Sequence, residues 1–194
     1  MTFDELGLPR EGIGGDWQDS SRLAGVMALV GYYPNGDLDL SKYVIQEKGK
    51  TVYARHPKER IYDFSRDQAL CLVAGLYAQG LHYLVNLDYV DGIDIFSPAN
   101  RGHFERCAGK KANWLEDAWL WFDVWRAAKF QKLKESNQLI CQMVVADKKY
   151  VKYWLKNNDQ WRKSILDYWS EGAGYWRGEP ELAAHMIKFL EGYL

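Results

Sequence analysis

The sequence predicts an all-α domain, a compact multi-helix bundle that carries a small β-hairpin insert. Three observations point there. Leu23 to Gly31 and Ala69 to Ala78 are apolar on every side, which places two helices inside a domain with others packed around them. From Asn100 onward, apolar residues recur at helical spacing through most of the chain. β-Prone residues gather only in two short runs around Gly49.

In chain order, residues 1 to 18 combine glycines, Pro9 and scattered acids, the chemistry of a loop. Asp19, Ser20 and Ser21 each suit an N-cap, because a short oxygen-bearing side chain accepts from the unpaired N–H groups of a first turn. The helix that follows ends at Gly31. Pro34, Asn35 and Gly36 make a turn. A hairpin comes next, with Tyr43 to Gln46 and Thr51 to Arg55 as strands and Gly49 in the turn. Pro57 closes it, since the residue before a proline is pushed away from helical backbone.

Ser65-Arg66-Asp67-Gln68 is a capping box, in which the two end side chains each bond the other's backbone N–H. A second helix therefore runs from there to about Gln79 and stops at Gly80. Trp114, Ala118, Trp121 and Trp125 form one apolar stripe expected to face the core, with Glu116, Asp117, Asp123 and Arg126 on the other side. Residues 136 to 156 read as one or two helices, and 158 to 170 as another with Trp161, Ile165 and Trp169 on one face. Glu171 to Gly178 is a glycine-rich aromatic loop. Pro180, in its favoured first-turn position, opens a last helix whose core face is Leu182, Ala183, Met186, Ile187 and Leu190.

With 194 residues, 26 % charged and 47 % hydrophobic, the chain is expected to form one helical domain over 1–194. At that length about 70 % of the extended-chain surface is buried, enough for a core without disulfides or a structural metal. Lys plus Arg number 25 against 26 for Asp plus Glu, which argues against specific nucleic-acid binding and against an anionic membrane as partner. The N-terminus has neither a basic start nor an apolar h-region, and no apolar run approaches the length of a membrane span. A cytoplasmic or virion-associated protein without signal peptide or transmembrane segment is expected. Cys71, Cys107 and Cys141 lie far apart, so no disulfide framework is expected. His56, His82, His103 and His185 lack metal-ligand spacing and no glycine-rich phosphate loop follows a strand, so neither a metal nor a cofactor is expected.

Two polar constellations stand beside the apolar helices. The first, Asp16-Trp17-Gln18-Asp19-Ser20-Ser21-Arg22, is either a set of caps or the polar mouth of a buried helix. The second comprises Arg55, His56, Asp63, Ser65, Arg66, Asp67 and Gln68. The capping box accounts for Ser65 and Gln68. The arginines, the histidine and the aspartates read either as a pocket lining or as a salt-bridge network. If Asp19 and Asp67 face each other, one protonated and one ionised, they form the acid and base pair of sugar chemistry. Trp17, Tyr53, Trp114 and Trp176 offer flat stacking surfaces, with core packing favoured for Trp114 and a contact role for Tyr175 and Trp176 in their loop.

Over roughly the first eighty residues, Gly15-Asp16 to Gly25 and Tyr53-x-Arg55-His56-Pro57 with Ser65-Arg66-Asp67-Gln68 resemble a poorly characterised family of bacterial and phage helical proteins. The residues matched are Asp19, Ser20, Arg22, Arg55, His56, Ser65, Arg66, Asp67 and Gln68. The arrangement is also similar to the helix starts of (α/α)-toroid glycan hydrolases and lyases, whose active sites collect at the rim where outbound helices begin. The resemblance implies a partial (α/α) toroid as the alternative to a plain bundle, since 194 residues cannot supply the roughly twelve helices of a full toroid.

It further implies a phage- or prophage-type protein whose polar rim pocket binds or processes a glycan. Asp19 and Asp67 would be catalytic, and Arg22, Arg55, His56, Arg66, Gln68, Trp17 and Trp176 would hold the substrate. The rival expectation is a non-catalytic virion or protein-interaction component. There the same residues are caps and salt bridges, and the Trp-rich C-terminal helices contact another protein chain.

Overall fold

The computed structural model describes residues 1–10, 20–47, 49–58, 66–85, 98–130, 147–169 and 179–194. Among them the protein is mostly helical, with α1 (Ser20–Val30), α2 (Arg66–Ala78), α3 (Pro98–Cys107), α4 (Trp114–Phe130), α5 (Lys148–Asn157), α6 (Trp161–Trp169) and α7 (Pro180–Glu191). Two small antiparallel strand pairs accompany them, β1 (Thr2–Phe3) with β2 (Pro9–Arg10) and β3 (Val44–Glu47) with β4 (Lys50–Tyr53). Buried apolar residues from all seven of these helices fall in one contiguous cluster. No helix among the described residues is long and apolar enough to cross a membrane.

Local chemistry sets the helix ends much where the sequence places them. Gly31 and Gly80 adopt φ of 68° and 73°, the left-handed backbone that closes a helix at little cost only for glycine. The next residue in each case turns its N–H back into the last turn, Tyr32 to Met27 O at 2.9 Å and Leu81 to Leu76 O at 2.8 Å. α2 begins one residue after Ser65, and α7 begins at Pro180. The hairpin is present with register Val44↔Tyr53 to Glu47↔Lys50, shifted by a residue or two from the expected strands, and Gly49 at φ 75° serves its turn. One capping box escaped the sequence reading: Asn113 Oδ1 accepts from Leu115 and Glu116 N–H, and Glu116 Oε2 accepts from Asn113 N–H.

The expectation that residues 1 to 18 form only loop is corrected at its start. Asp4 organises the turn between β1 and β2, where its Oδ1 accepts from Leu6 N–H at 2.9 Å and Leu8 N–H at 2.8 Å.

α1 and α2 are the centre of the molecule, and each is buried nearly all round, as an apolar helix without a polar face must be. They cross backbone against backbone. A Cβ built on Gly25 would stand 2.2 Å from Cys71 O, and one on Gly75 would stand 2.7 Å from Gly25 Cα.

α3 and α4 form the second closely packed pair, and the face of α4 that enters the core is not the expected tryptophan stripe. The side chains of α4 that enter the core are Leu120, Val124, Ala127 and Ala128, one position earlier than the tryptophan stripe, a rotation of about 100°. Asp117 and Asp123, expected in solvent, turn toward α3, where Arg106 Nη2 meets Asp117 Oδ1 at 2.6 Å and His103 Nε2 meets Asp123 Oδ2 at 3.1 Å. The cause is close approach. A Cβ on Gly102 of α3 would lie 2.8 Å from Glu116 O, so the seam accepts small side chains and excludes indoles.

Candidate functional site

The first polar constellation is built into the fold at the start of α1. Ser20 is fully buried, and its hydroxyl donates to Pro9 O at 2.6 Å. With that single hydrogen committed, the Tyr43 hydroxyl, 2.7 Å away, is the donor to Ser20 Oγ. Ser21 N–H, one of the unpaired donors of a first turn, donates to Arg55 O at 3.1 Å. This bond joins the Asp19-to-Arg22 segment to the Arg55-His56-Pro57 segment, two motifs that lie more than thirty residues apart in sequence.

His56 is buried and packs edge-on against the Tyr43 ring, with centroids 6.5 Å apart. Its Nδ1 accepts from Lys58 N–H at 3.2 Å, which puts the ring proton on Nε2, where it is donated to Asp4 Oδ2 at 3.0 Å. Both side chains of the Asp4–His56 pair are 0 % exposed. The arrangement orients a neutral imidazole and closes the turn at Asp4. It leaves His56 no path to a substrate from the solvent side.

Arg22 and Gln68 are also buried, and Arg55 is half-buried. Arg66 and Asp67 occupy the first turn of α2, and their side chains lie outside the described residues. Trp17, Asp19 and Trp176, with Asp16, Asp63, Ser65 and Tyr175, lie outside them altogether. Gly25 is the sixth residue of α1 and Cys71 the sixth of α2, so each helix start lies about 8 Å along its axis from the shared crossing. Of the buried polar atoms at this mouth, Ser21 Oγ has no hydrogen-bond partner.

Burial, reinforced by the Asp4 carboxylate, holds the Tyr43 hydroxyl well above the ordinary tyrosine range. Burial and the Glu181 carboxylate, which accepts from the Tyr32 hydroxyl at 2.7 Å, push Tyr32 up to about 12. A raised folded-state value means stability that is intact below the ordinary tyrosine range near pH 10 and falls as pH rises through the folded value. In a spectrophotometric titration of the 13 tyrosines, Tyr43 is expected to ionise only as the chain unfolds. Tyr43→Phe, at a cost of about 1 kcal/mol at neutral pH, is expected to extend the alkaline limit of the fold. Full titration near pH 10 with native circular dichroism would contradict this.

The second arrangement is on α4, opposite the seam with α3. Trp114 is 81 % exposed, Trp119 47 %, Phe122 48 %, Trp125 41 % and Phe130 58 %. Core packing, expected for Trp114 and for the stripe it heads, is corrected for Trp114 and Trp125; Trp121 alone is half-buried, against Tyr150 and Tyr153. The exposed rings touch one another in sequence: Trp119 edge-on to Phe122 at 6.1 Å, Phe122 stacked with Trp125 at 6.0 Å, and Trp125 edge-on to Phe130 at 6.0 Å.

The helix that carries them is held firmly from behind. Arg106 Nη1 reaches Asp147 Oδ2 at 3.1 Å while Nη2 holds Asp117, which also accepts from the Tyr150 hydroxyl, and the guanidinium lies 5.2 Å from the Tyr150 ring centre. One arginine thus ties α3 to the starts of α4 and α5. No group of three His, Cys, Asp or Glu among the described residues could hold a metal ion.

Asp4, Tyr43 and Arg106 are the organising residues that the sequence reading missed. Asp4 also acts within its own turn, but no local pattern marks its bond to His56, Tyr43's bond to Ser20 or Arg106's ties to Asp117 and Asp147, because each of these partners belongs to another element. Of the aromatic face, the sequence pattern contained only Trp114 and Trp125, and it directed them to the core; Trp119, Phe122 and Phe130 lay outside the expected stripe. The chain matches no family model, no curated protein and no solved structure.

Proposed function

We propose that this chain is a protein-interaction component, with the aromatic face of α4 as its contact surface and the polar residues at the helix starts serving the fold. The observation that supports it is a ladder of four exposed rings in mutual contact, Trp119, Phe122, Trp125 and Phe130, with Trp114 exposed at the start of the same helix, which is anchored by ion pairs on its other side. Contiguous apolar patches of this kind mark binding surfaces, and tryptophan is enriched among the residues that dominate binding energy. The buried Asp4–His56 pair and the Tyr43–Ser20 chain fit structural duty. The resemblance to phage and bacterial helical proteins supports a virion-associated or cytoplasmic setting.

A direct test is the double variant Trp119→Glu/Phe122→Glu. A contact surface carries no packing in the free chain, so at a concentration where wild type sediments as a monomer the melting temperature is expected to stay within about 2 °C of wild type or to rise. A fall of about 10 °C would show the face packed within the folded chain and would overturn the reading.

A second reading has a partial (α/α) toroid binding or processing a glycan at the helix starts, with Asp67 or Asp19 moving the proton and the arginines holding hydroxyl or carboxylate groups. It is supported by the buried, unpartnered Ser21 hydroxyl beside buried Arg22. Calorimetric titration of wild type and Asp67→Asn with a panel of oligosaccharides decides it. Binding lost in a folded variant would favour this reading, and absence of binding by wild type would end it.

A further inference from the structure

We infer that the exposed face of α4 pairs with the same face of a second copy of this chain, antiparallel, about a twofold axis at Phe122. The inference rests on the reading of that face as a contact surface and adds the identity of the partner.

The aromatic positions of the face are symmetric about Phe122. Trp119 and Trp125 lie three residues to either side of Phe122, and Trp114 and Phe130 lie eight to either side. Any helix face repeats at these spacings; placing an aromatic at all four is a property of this chain. A twofold interface requires self-complementarity, in which residue i meets j and j meets i. An antiparallel pairing centred on Phe122 sets Trp119 of one copy at the height of Trp125 of the other, and Trp114 at the height of Phe130. On an ideal helix, residues three and eight positions either side of the centre fall on opposite edges of the face. At each height the two copies therefore supply rings from opposite edges, which fill each other's gaps instead of colliding.

Charge agrees with this direction. Antiparallel pairing opposes the two helix dipoles, whereas parallel pairing would set like ends side by side. Area agrees as well. With aromatic side chains of about 150–250 Å² each, the exposed fractions of the five rings amount to roughly 600 Å² of apolar surface per chain. A partner in a standard interface contributes about 800 Å² of all kinds of surface.

The test is sedimentation velocity of the full chain across micromolar concentrations, together with mild oxidation of Phe122→Cys, with wild type as control for the native cysteines. At a twofold axis the two introduced thiols fall within disulfide reach. The expected result is a wild-type dimer, a disulfide-linked dimer of Phe122→Cys, and at least a 100-fold weaker dimer for Trp119→Glu, since the substitution strikes the interface twice. A dimer in which Phe122→Cys does not cross-link overturns the twofold at that residue. A wild-type monomer whose tryptophans are open to iodide quenching overturns self-pairing and leaves the contact surface to another partner. A monomer whose α4 tryptophans are protected overturns both.

Discussion

Gly25→Ala is expected to unfold the chain or cost it more than about 4 kcal/mol, a large share of the 5–15 kcal/mol that holds a domain together. In an ordinary helix this change is favourable by about 0.4–1 kcal/mol, because alanine narrows the unfolded ensemble. Here the added Cβ would meet Cys71 O at 2.2 Å, Cys71 C at 2.4 Å and Leu72 N at 2.7 Å. All three are backbone atoms of α2, so no rotamer change can relieve the overlap. The helices must part, and every buried side chain along the crossing then loses packing contacts. Gly75→Ala strikes the same crossing from the other side, 2.7 Å from Gly25 Cα. Denaturant unfolding is the measurement, and a Gly25→Ala variant within 1 kcal/mol of wild type would disprove the backbone contact.

Asp4→Ala is expected to cost about 4 kcal/mol. The carboxylate accepts from Leu6 N–H, Leu8 N–H and His56 Nε2–H, and each buried donor left without an acceptor costs about 1–3 kcal/mol. Asp4→Asn is the sharper variant. Its carbonyl oxygen can keep the two backbone bonds, but its NH₂ then faces His56 Nε2–H, donor against donor. Moving the ring proton to Nδ1 does not help, since Nδ1 already accepts from Lys58 N–H. A loss of about 2 kcal/mol is therefore expected for Asp4→Asn. A double-mutant cycle between Asp4 and His56 should show coupling of about 1 kcal/mol or more, and additive effects would remove the pair from the account.

The helix starts and stops were open to reading because their causes are local. Gly31, Gly80 and Pro180 act within one or two turns of themselves, so the residues that decide the backbone are adjacent in the chain. The two buried helices were legible for a similar reason, since an all-round apolar surface leaves no face to choose. α4 was not legible in that way. Its sequence offers two apolar stripes one residue apart, one of tryptophans and one of leucine, valine and alanine. The larger residues suggested the core, yet the seam beside Gly102 admits only the smaller ones.

Charges misled in the same helix. Asp117 and Asp123 read as solvent-facing because their partners, Arg106 and His103, belong to another helix. In the candidate glycan site the sequence suggested a cluster, and the fold joins its Ser21 and Arg55 portions through a backbone hydrogen bond.

The sequence by itself determined that this protein is helical, where α1, α2 and α7 begin and where α1 and α2 end, and that α1 and α2 lie at its centre. Those properties follow from backbone preference and hydrophobic period, which act over a few residues. Only the tertiary structure decided that Asp4 and His56 form a sealed pair, that α1 and α2 touch through their backbones, and that five aromatic rings face outward. Each of these depends on the space left by a neighbour distant in the chain, and the size and shape of that space are set only when the helices pack.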